Sequence, residues 1–173
     1  DISMKKSSGF TLLELMITIG IIGVVTAIAI PSMSVYIKND RLTTNINTLV
    51  GHLAYARSEA VTRSIQVGLC ASDNMTSCSG DNWSLGWILF VDADANNTFT
   101  EGEEISRVKQ ALHSSNTMTY SIGNDAVVIY DTRGFTPNSN GTFSLCDDRT
   151  TANSKSISIS VTGRVRKGGA TAC

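Results

Sequence analysis

The apolar positions are concentrated at one end of the chain. From Ser7 to Ile37 the only charged residue is Glu14, and Phe10 to Ile30 reads FTLLELMITIGIIGVVTAIAI. At ~1.5 Å per residue this run makes a helix of about 31 Å, enough to cross the hydrocarbon core of a bilayer. Lys5 and Lys6 stand immediately before it, so the positive-inside rule leaves the N-terminus cytoplasmic and exports the chain beyond Pro31. The run is longer than the apolar region of a secretory signal and leads into Pro31 without an A-x-A-like site. An ordinary anchor fits its length but gives no reason for Glu14, since a carboxylate in that setting costs about 3 kcal/mol or more.

After Pro31, which is expected to kink the helix or loosen a turn, a different pattern takes over. Ile46, Leu49, Val50, Leu53, Ala56, Ala60 and Val61 recur every three or four positions, with Arg41, Asn45, Arg57, Glu59 and Arg63 on the other faces. This predicts an amphipathic helix lying on a core. Strand-like runs come next at Ile65–Cys70, Ser84–Asp92, Ile105–Val108, Thr117–Ser121, Ala126–Asp131, Gly141–Cys146 and Ser156–Val161. Several alternate with period two, and Asn/Gly/Ser clusters such as Pro137 to Gly141 punctuate them. The fold class is therefore α+β: one long N-terminal helix, its first half transmembrane, packed on antiparallel β-sheets.

Composition narrows the function classes. The 173 residues carry 14 Lys+Arg and 15 Asp+Glu, a formal net charge of -1, which excludes a uniformly basic nucleic-acid binder but not a local basic patch. His52 and His113 lie far apart, and no G-x-S-x-G is present, so no catalytic constellation is expected and the chain does not read as an enzyme. No cofactor is expected. The segment from Asp92 to Glu104 is acidic and has part of the spacing of a calcium loop, but position six is Asn97 and no helical pattern flanks it. It reads first as a structural turn, and no metal site is assigned. Trp83, Trp87, Phe90, Phe99 and Phe135 fit a core better than a binding platform.

The segment Lys5-Lys6-Ser7-Ser8-Gly9-Phe10-Thr11-Leu12-Leu13-Glu14-Leu15 resembles the class III signal of type IV pilins and type II secretion pseudopilins. The resemblance implies a leader over residues 1–9, with Met4 as its natural start. A transmembrane and filament-core helix comes next over 10–38, then a periplasmic GspH-like globular domain over 39–173. It also implies cleavage after Gly9 by a prepilin peptidase, methylation of Phe10, and pairing of Glu14 with the N-terminal amine of a neighbouring pilin. A buried acid is tolerable where a cation meets it in the same dry setting. The expected location is the inner membrane, single-pass, and then a pilus on the surface of a Gram-negative bacterium.

An exported domain with four cysteines favours disulfides. Three pairings are possible. Cys70 with Cys78, closing a short loop, and Cys146 with Cys173, tying down the tail, are the favoured ones. A zinc site made of all four is the alternative, but no C-x2-C pair is present.

The C-terminal tail stands apart in charge. From Arg149 onward the charged residues are Arg149, Lys155, Arg164, Arg166 and Lys167, for +5, against -6 for the preceding 148 residues with nine bases and fifteen acids. Separated charge of this kind suits a polyanion, although a solvated face or pairing with the acidic loop fits the same spacing. In Gly163-Arg164-Val165-Arg166-Lys167 the glycine is expected to free the backbone to approach a phosphate chain, and the two arginines to point the same way. Gly163-Arg164-Val165-Arg166 is similar to the G-R-x-R of FimT-type minor pilins, which implies binding of extracellular double-stranded DNA for uptake in natural transformation. The alternative is a purely structural minor pilin of the FimU type, or a GspH-like pseudopilin that primes filament assembly.

Overall fold

The computed structural model describes residues 9–121, 127–149 and 153–169. The chain divides into two compact units between Lys38 and Asn39. One helix, α1 (Leu12–Arg63), has its first part in the N-terminal unit and its second part in the C-terminal one.

In the N-terminal unit, Thr11 caps α1. Its Oγ1 accepts the Glu14 backbone N–H at 3.2 Å, and Glu14 places an acid in the first turn, where the helix dipole favours one. The hydroxyls of Thr18 and Thr26 donate back to the carbonyls of Leu15 and Ile22, so these polar groups sit in an apolar run with their hydrogen bonds made. The helix continues through position 31, where the sequence leads one to expect a kink or loosened turn, without ending there. A proline forfeits one rung of the ladder, and the turns on either side carry the helix past it. All the large apolar side chains from Phe10 to Ile37 are exposed, which a soluble surface does not sustain over such a length.

In the C-terminal unit, Leu42, Ile46, Leu49, Leu53, Ala56 and Ala60 form the buried stripe of α1. The helix stops where Ser64 turns to φ +54° and the Ile65 N–H returns to the Ala60 carbonyl, a Schellman-type ending. Beyond it lie two antiparallel four-stranded sheets. The first has the order β3-β2-β1-β5 and the second β4-β6-β7-β8. Their strands are β1 Gln66–Ala71, β2 Gly86–Asp92, β3 Ile105–Gln110, β4 Thr117–Ser121, β5 Val127–Tyr130, β6 Gly141–Cys146, β7 Lys155–Ile159 and β8 Val165–Gly168.

The main core joins α1 to both sheets through Trp83, Trp87, Leu89, Tyr130, Phe143 and Ile157. A smaller cluster of Cys70, Ile88, Phe90 and Ile129 covers the opposite face of the first sheet. There Gly68 is required, because a Cβ at that position would lie 2.3 Å from the Phe90 ring. Burial on both faces explains why β2 is apolar along nearly its whole length rather than alternating.

The expected strands are present with ends shifted by a residue or two. Trp83–Leu85, expected in part to open β2, is a short 3-10 turn capped by Asn82, and Ala126 lies outside the described residues. The larger difference is β8. No strand is expected in the basic tail segment from sequence, whereas Val165–Gly168 is the last strand of the second sheet. Pairing to β7 outweighs the weak β-propensity of a Gly- and Lys-rich segment.

Candidate nucleic-acid interface

β7 and β8 form a hairpin in which Ile159 pairs with Val165, Ser158 with Arg166, Ile157 with Lys167 and Ser156 with Gly168. The turn closes through Gly163 N–H to Ser160 carbonyl at 2.8 Å and Ser160 N–H to Arg164 carbonyl at 3.0 Å. Gly163 is buried in that turn at φ +72°. A Cβ there would stand 2.0 Å from the Gly134 carbonyl oxygen. The first residue of the G-R-x-R sequence therefore meets the protein's own backbone, and the expectation that it lies open to a phosphate chain is corrected.

The period of the strand divides the predicted basic residues. Ile157, Ile159 and the half-buried Val165 face the core, so Arg166 occupies the opposite, outer face, and Arg164, just before the strand, closes the hairpin turn through its carbonyl. Both are exposed, and neither forms an ion pair among the described residues. The same outer face carries Thr117, Thr119 and Ser121 of β4, Thr142 and Ser144 of β6, and Ser158 of β7, a run of hydroxyls without a carboxylate. Lys167 lies on the other side of β8, where its Nζ donates to Asn47 Oδ1 of α1 at 2.8 Å. Lys155 lines a small cleft with it, beside Thr43 and Ile46.

Arg149 stands elsewhere. Its Nε donates to Asp147 Oδ2 at 2.8 Å and its Nη2 to Asn39 Oδ1 at 2.9 Å. The Arg149 and Asp147 side chains are only 16% and 1% exposed. This pair is part of the packing and is tied to α1 through Asn39.

The acidic loop between β2 and β3 is held by its own carboxylates. Asp92 accepts the backbone N–H groups of Asn96 and Asn97, and Glu103 accepts those of Ala93 and Thr100. Asp92, Asp94 and Glu103 converge, with one oxygen of each within 4.8 Å of the others. Burial, together with the neighbouring acids, raises the Asp92 pKa. Trp83, Trp87 and Phe90 are core residues, Phe99 packs edge-on to Phe90, and the half-exposed Phe135 lies under the Arg133 guanidinium.

Cys70 and Cys78 are disulfide-bonded, with Cα atoms 5.7 Å apart. Cys146 is disulfide-bonded as well, and Cys173, its favoured partner from sequence, lies outside the described residues. At the other end of the chain Gly9, Phe10 and Glu14 are all exposed.

A long helix with an exposed apolar N-terminal part and two antiparallel sheets built around its C-terminal part defines a pilin-like subunit. Residues 45–163 match the family described as "Type II transport protein GspH", and residues 4–30 match the "Prokaryotic N-terminal methylation motif". The chain belongs to the GspH family. It is 37% identical over 98 residues to the "Pilin-like protein PilA1" of Thermus thermophilus, covering 56% of this chain and 55% of that protein. It is 47% identical over 47 residues to the "Prepilin peptidase-dependent protein D" of Escherichia coli, covering 27% and 32%. The matched regions thus span about half, or less, of these relatives. Among solved structures the fold is similar to the type IV minor pilin FimU of Pseudomonas aeruginosa, with TM-score 0.58, 19% identity and coverage of 78% of this chain and 93% of that one. It is also similar to the minor pseudopilin EpsH of the Vibrio cholerae type 2 secretion system, with TM-score 0.54, 10% identity and coverage of 75% and 97%.

Proposed function

We propose that this protein is a minor type IV pilin whose β8 hairpin binds double-stranded DNA through its phosphates, without sequence preference, for uptake in natural transformation. The observation that carries the reading is the placement of Arg164 and Arg166. Arg166 lies on the outer face of an edge strand and Arg164 two residues before it, where the hairpin turn closes on Ser160; both are exposed, free of ion pairs among the described residues, and border a face of Ser and Thr hydroxyls. Arginine forks and hydroxyl groups are the side chains that contact phosphate oxygens, and such contacts position a duplex without reading its sequence. On this reading the chain is an inner-membrane protein with a periplasmic domain. Prepilin peptidase cleaves after Gly9, Phe10 is methylated, and Glu14 pairs with a neighbouring pilin's N-terminal amine in the filament.

The test uses the full chain in non-ionic detergent and fluorescence anisotropy of a labelled duplex. Arg164→Gln with Arg166→Gln should remove most of the binding while leaving the melting temperature within about 2 °C, since both side chains are exposed. Two duplexes of unrelated sequence should bind alike. If the double variant binds duplex as the natural chain does, the assignment to β8 is wrong. The second reading is a structural subunit that primes a pilus or secretion filament, favoured by the fold shared with FimU and EpsH. It is the one that stands if the natural chain does not bind duplex at all.

A further inference from the structure

A second group of basic side chains lines the opposite flank of α1. β3 lies beside the helix there, and the seam between them opens into a cleft of about 330 Å³ lined by His52, Ile105, Ser106, Arg107 and Val108. A second cleft continues along the seam, with Asp40, Arg41, Lys109 and His113 among its lining residues. Among the described residues Arg41, Arg107 and Lys109 form no ion pair, and Asp40 is the only carboxylate in either lining. Arg107 rests on the Tyr55 ring, 4.0 Å from its centroid. That contact fixes the guanidinium plane and leaves its N–H edges unpaired.

His52 sits among these groups in a defined tautomer. The Trp87 indole N–H donates to His52 Nδ1 at 3.0 Å. An indole only donates, so Nδ1 is unprotonated and the neutral ring carries its proton on Nε2. Beside the imidazole stands Trp87 from β2, and the charges that act on it are those of Arg107 and Lys109 from β3. Burial first, then the charges of Arg107 and Lys109, hold the imidazole pKa below its ordinary value. An anion in the cleft would reverse the charge part of that balance.

We infer that the seam between α1 and β3 is an anion-binding trough that takes the phosphate groups of a polyanion chain through Arg41, Arg107, Lys109 and the Nε2–H of His52. As a second row of phosphate contacts on DNA it rests on the function proposed above; as a phosphate site it stands on its own. The helix separates the trough from Lys155 and Lys167, which lie on its other flank, so one bound strand would cross the domain with cations on both sides of α1.

The first test tracks the His52 ring by NMR in the full chain in detergent micelles, titrating pH with and without inorganic polyphosphate. Polyphosphate should raise the His52 pKa. Arg107→Gln with Lys109→Gln should abolish that induced change, whatever it does to the starting value, and the charge-preserving Arg107→Lys with Lys109→Arg should retain it. Arg164→Gln with Arg166→Gln should respond as the natural chain does. Should the Gln pair fail to fold, Arg41→Gln alone must reduce the response. In duplex binding, loss of two contacts at ~0.9 each lowers the log–log salt slope by about 2, which is roughly thirtyfold in affinity near 0.15 M salt.

A His52 titration unmoved by polyphosphate overturns the trough even if β8 binds duplex. A response to an acidic peptide as large as that to polyphosphate of equal charge overturns the phosphate assignment in favour of a protein partner. If His52 responds to polyphosphate while the natural chain binds no duplex, the trough stands and the DNA reading falls.

Discussion

Replacing Gly163 with alanine separates two meanings of the G-R-x-R sequence. At φ +72° an alanine is left-handed, which costs about 1 kcal/mol. Its Cβ would also stand 2.0 Å from the Gly134 carbonyl oxygen and 3.1 Å from a Tyr130 ring carbon. A backbone oxygen cannot swing aside as a side chain can, so the hairpin must move off Gly134. That motion strains the Thr136 N–H to Val161 carbonyl bond, which joins the same two segments, and overpacking of this kind adds about 1–3 kcal/mol. The total of about 3 kcal/mol in a domain of this size corresponds to a fall of about 10 °C in melting temperature. The assay is thermal unfolding of the full chain in detergent by tryptophan fluorescence, since Trp83 and Trp87 are fully buried reporters. Duplex affinity measured well below the transition should change little, because Arg166 keeps its strand and Arg164 its place beside it. A variant with the natural melting temperature and weakened duplex binding would refute the argument, because the glycine would then serve the ligand and not the turn.

Gly9→Val should block removal of the leader, read as the unprocessed mass of the membrane-bound protein. Arg149→Met removes the guanidinium contacts to Asp147 Oδ2 and Asn39 Oδ1 and keeps the backbone N–H to Asp147 Oδ1, so it should lower stability by about 1–3 kcal/mol, with duplex affinity unaffected wherever the protein is folded. His52 gives a pH signature. Its folded pKa lies below the ordinary 6.5, so the unfolded chain takes up the proton first as pH falls through 6.5. The contribution of His52 is complete above that pH and is lost on acidification. The drop in melting temperature from pH 7.5 to pH 5 should therefore be smaller in His52→Gln, which keeps an acceptor for Trp87.

The parts of the fold that are legible in sequence are those whose signal is periodic. The spacing of Leu49, Leu53, Ala56 and Ala60 locates the buried stripe of α1, and alternation locates β7. The features that sequence hides depend on partners far away in the chain. Nothing near Gly163 announces that Gly134 will occupy the space over it, so a glycine flanking arginines looks like a binding device. Once Val165–Gly168 is known to be a strand, period two alone separates Lys167 from Arg164 and Arg166; without the strand the three read as one cluster. Counting charge over a segment places Arg149 with the basic tail, although Asp147 two residues earlier offers a local partner. The seam formed by His52 with Arg107 has no sequence signal, because it joins residues of a helix and a distant strand.

The four outer strands of the two sheets bear on why β8 is basic. β5 is covered by the loop after it, through Ile129 N–H to Ser139 Oγ, and β4 by the 3-10 turn, through Met118 N–H to Ser84 Oγ. Neither strand contains a charged residue: they read VVIY and TMTYS. All four are sheet edges, and among the described residues β3 and β8 show no such cover. Each shows the same pattern, Arg107-Val108-Lys109 within β3 and Arg164-Val165-Arg166-Lys167 running into β8. Charge on an open edge prevents other strands from pairing with it, so protection of the edges accounts for these residues without any ligand. The two explanations differ in sign. An edge is guarded by charge of either kind, whereas phosphate needs a cation. Arg164→Glu with Arg166→Glu should therefore stay as monodisperse by light scattering as the natural chain while losing duplex binding. The neutral Gln pair should lose binding and also show more self-association. If the Glu pair aggregates as the Gln pair does, positive charge is needed for the protein's own packing, and the binding role assigned to β8 has no support left in its charge.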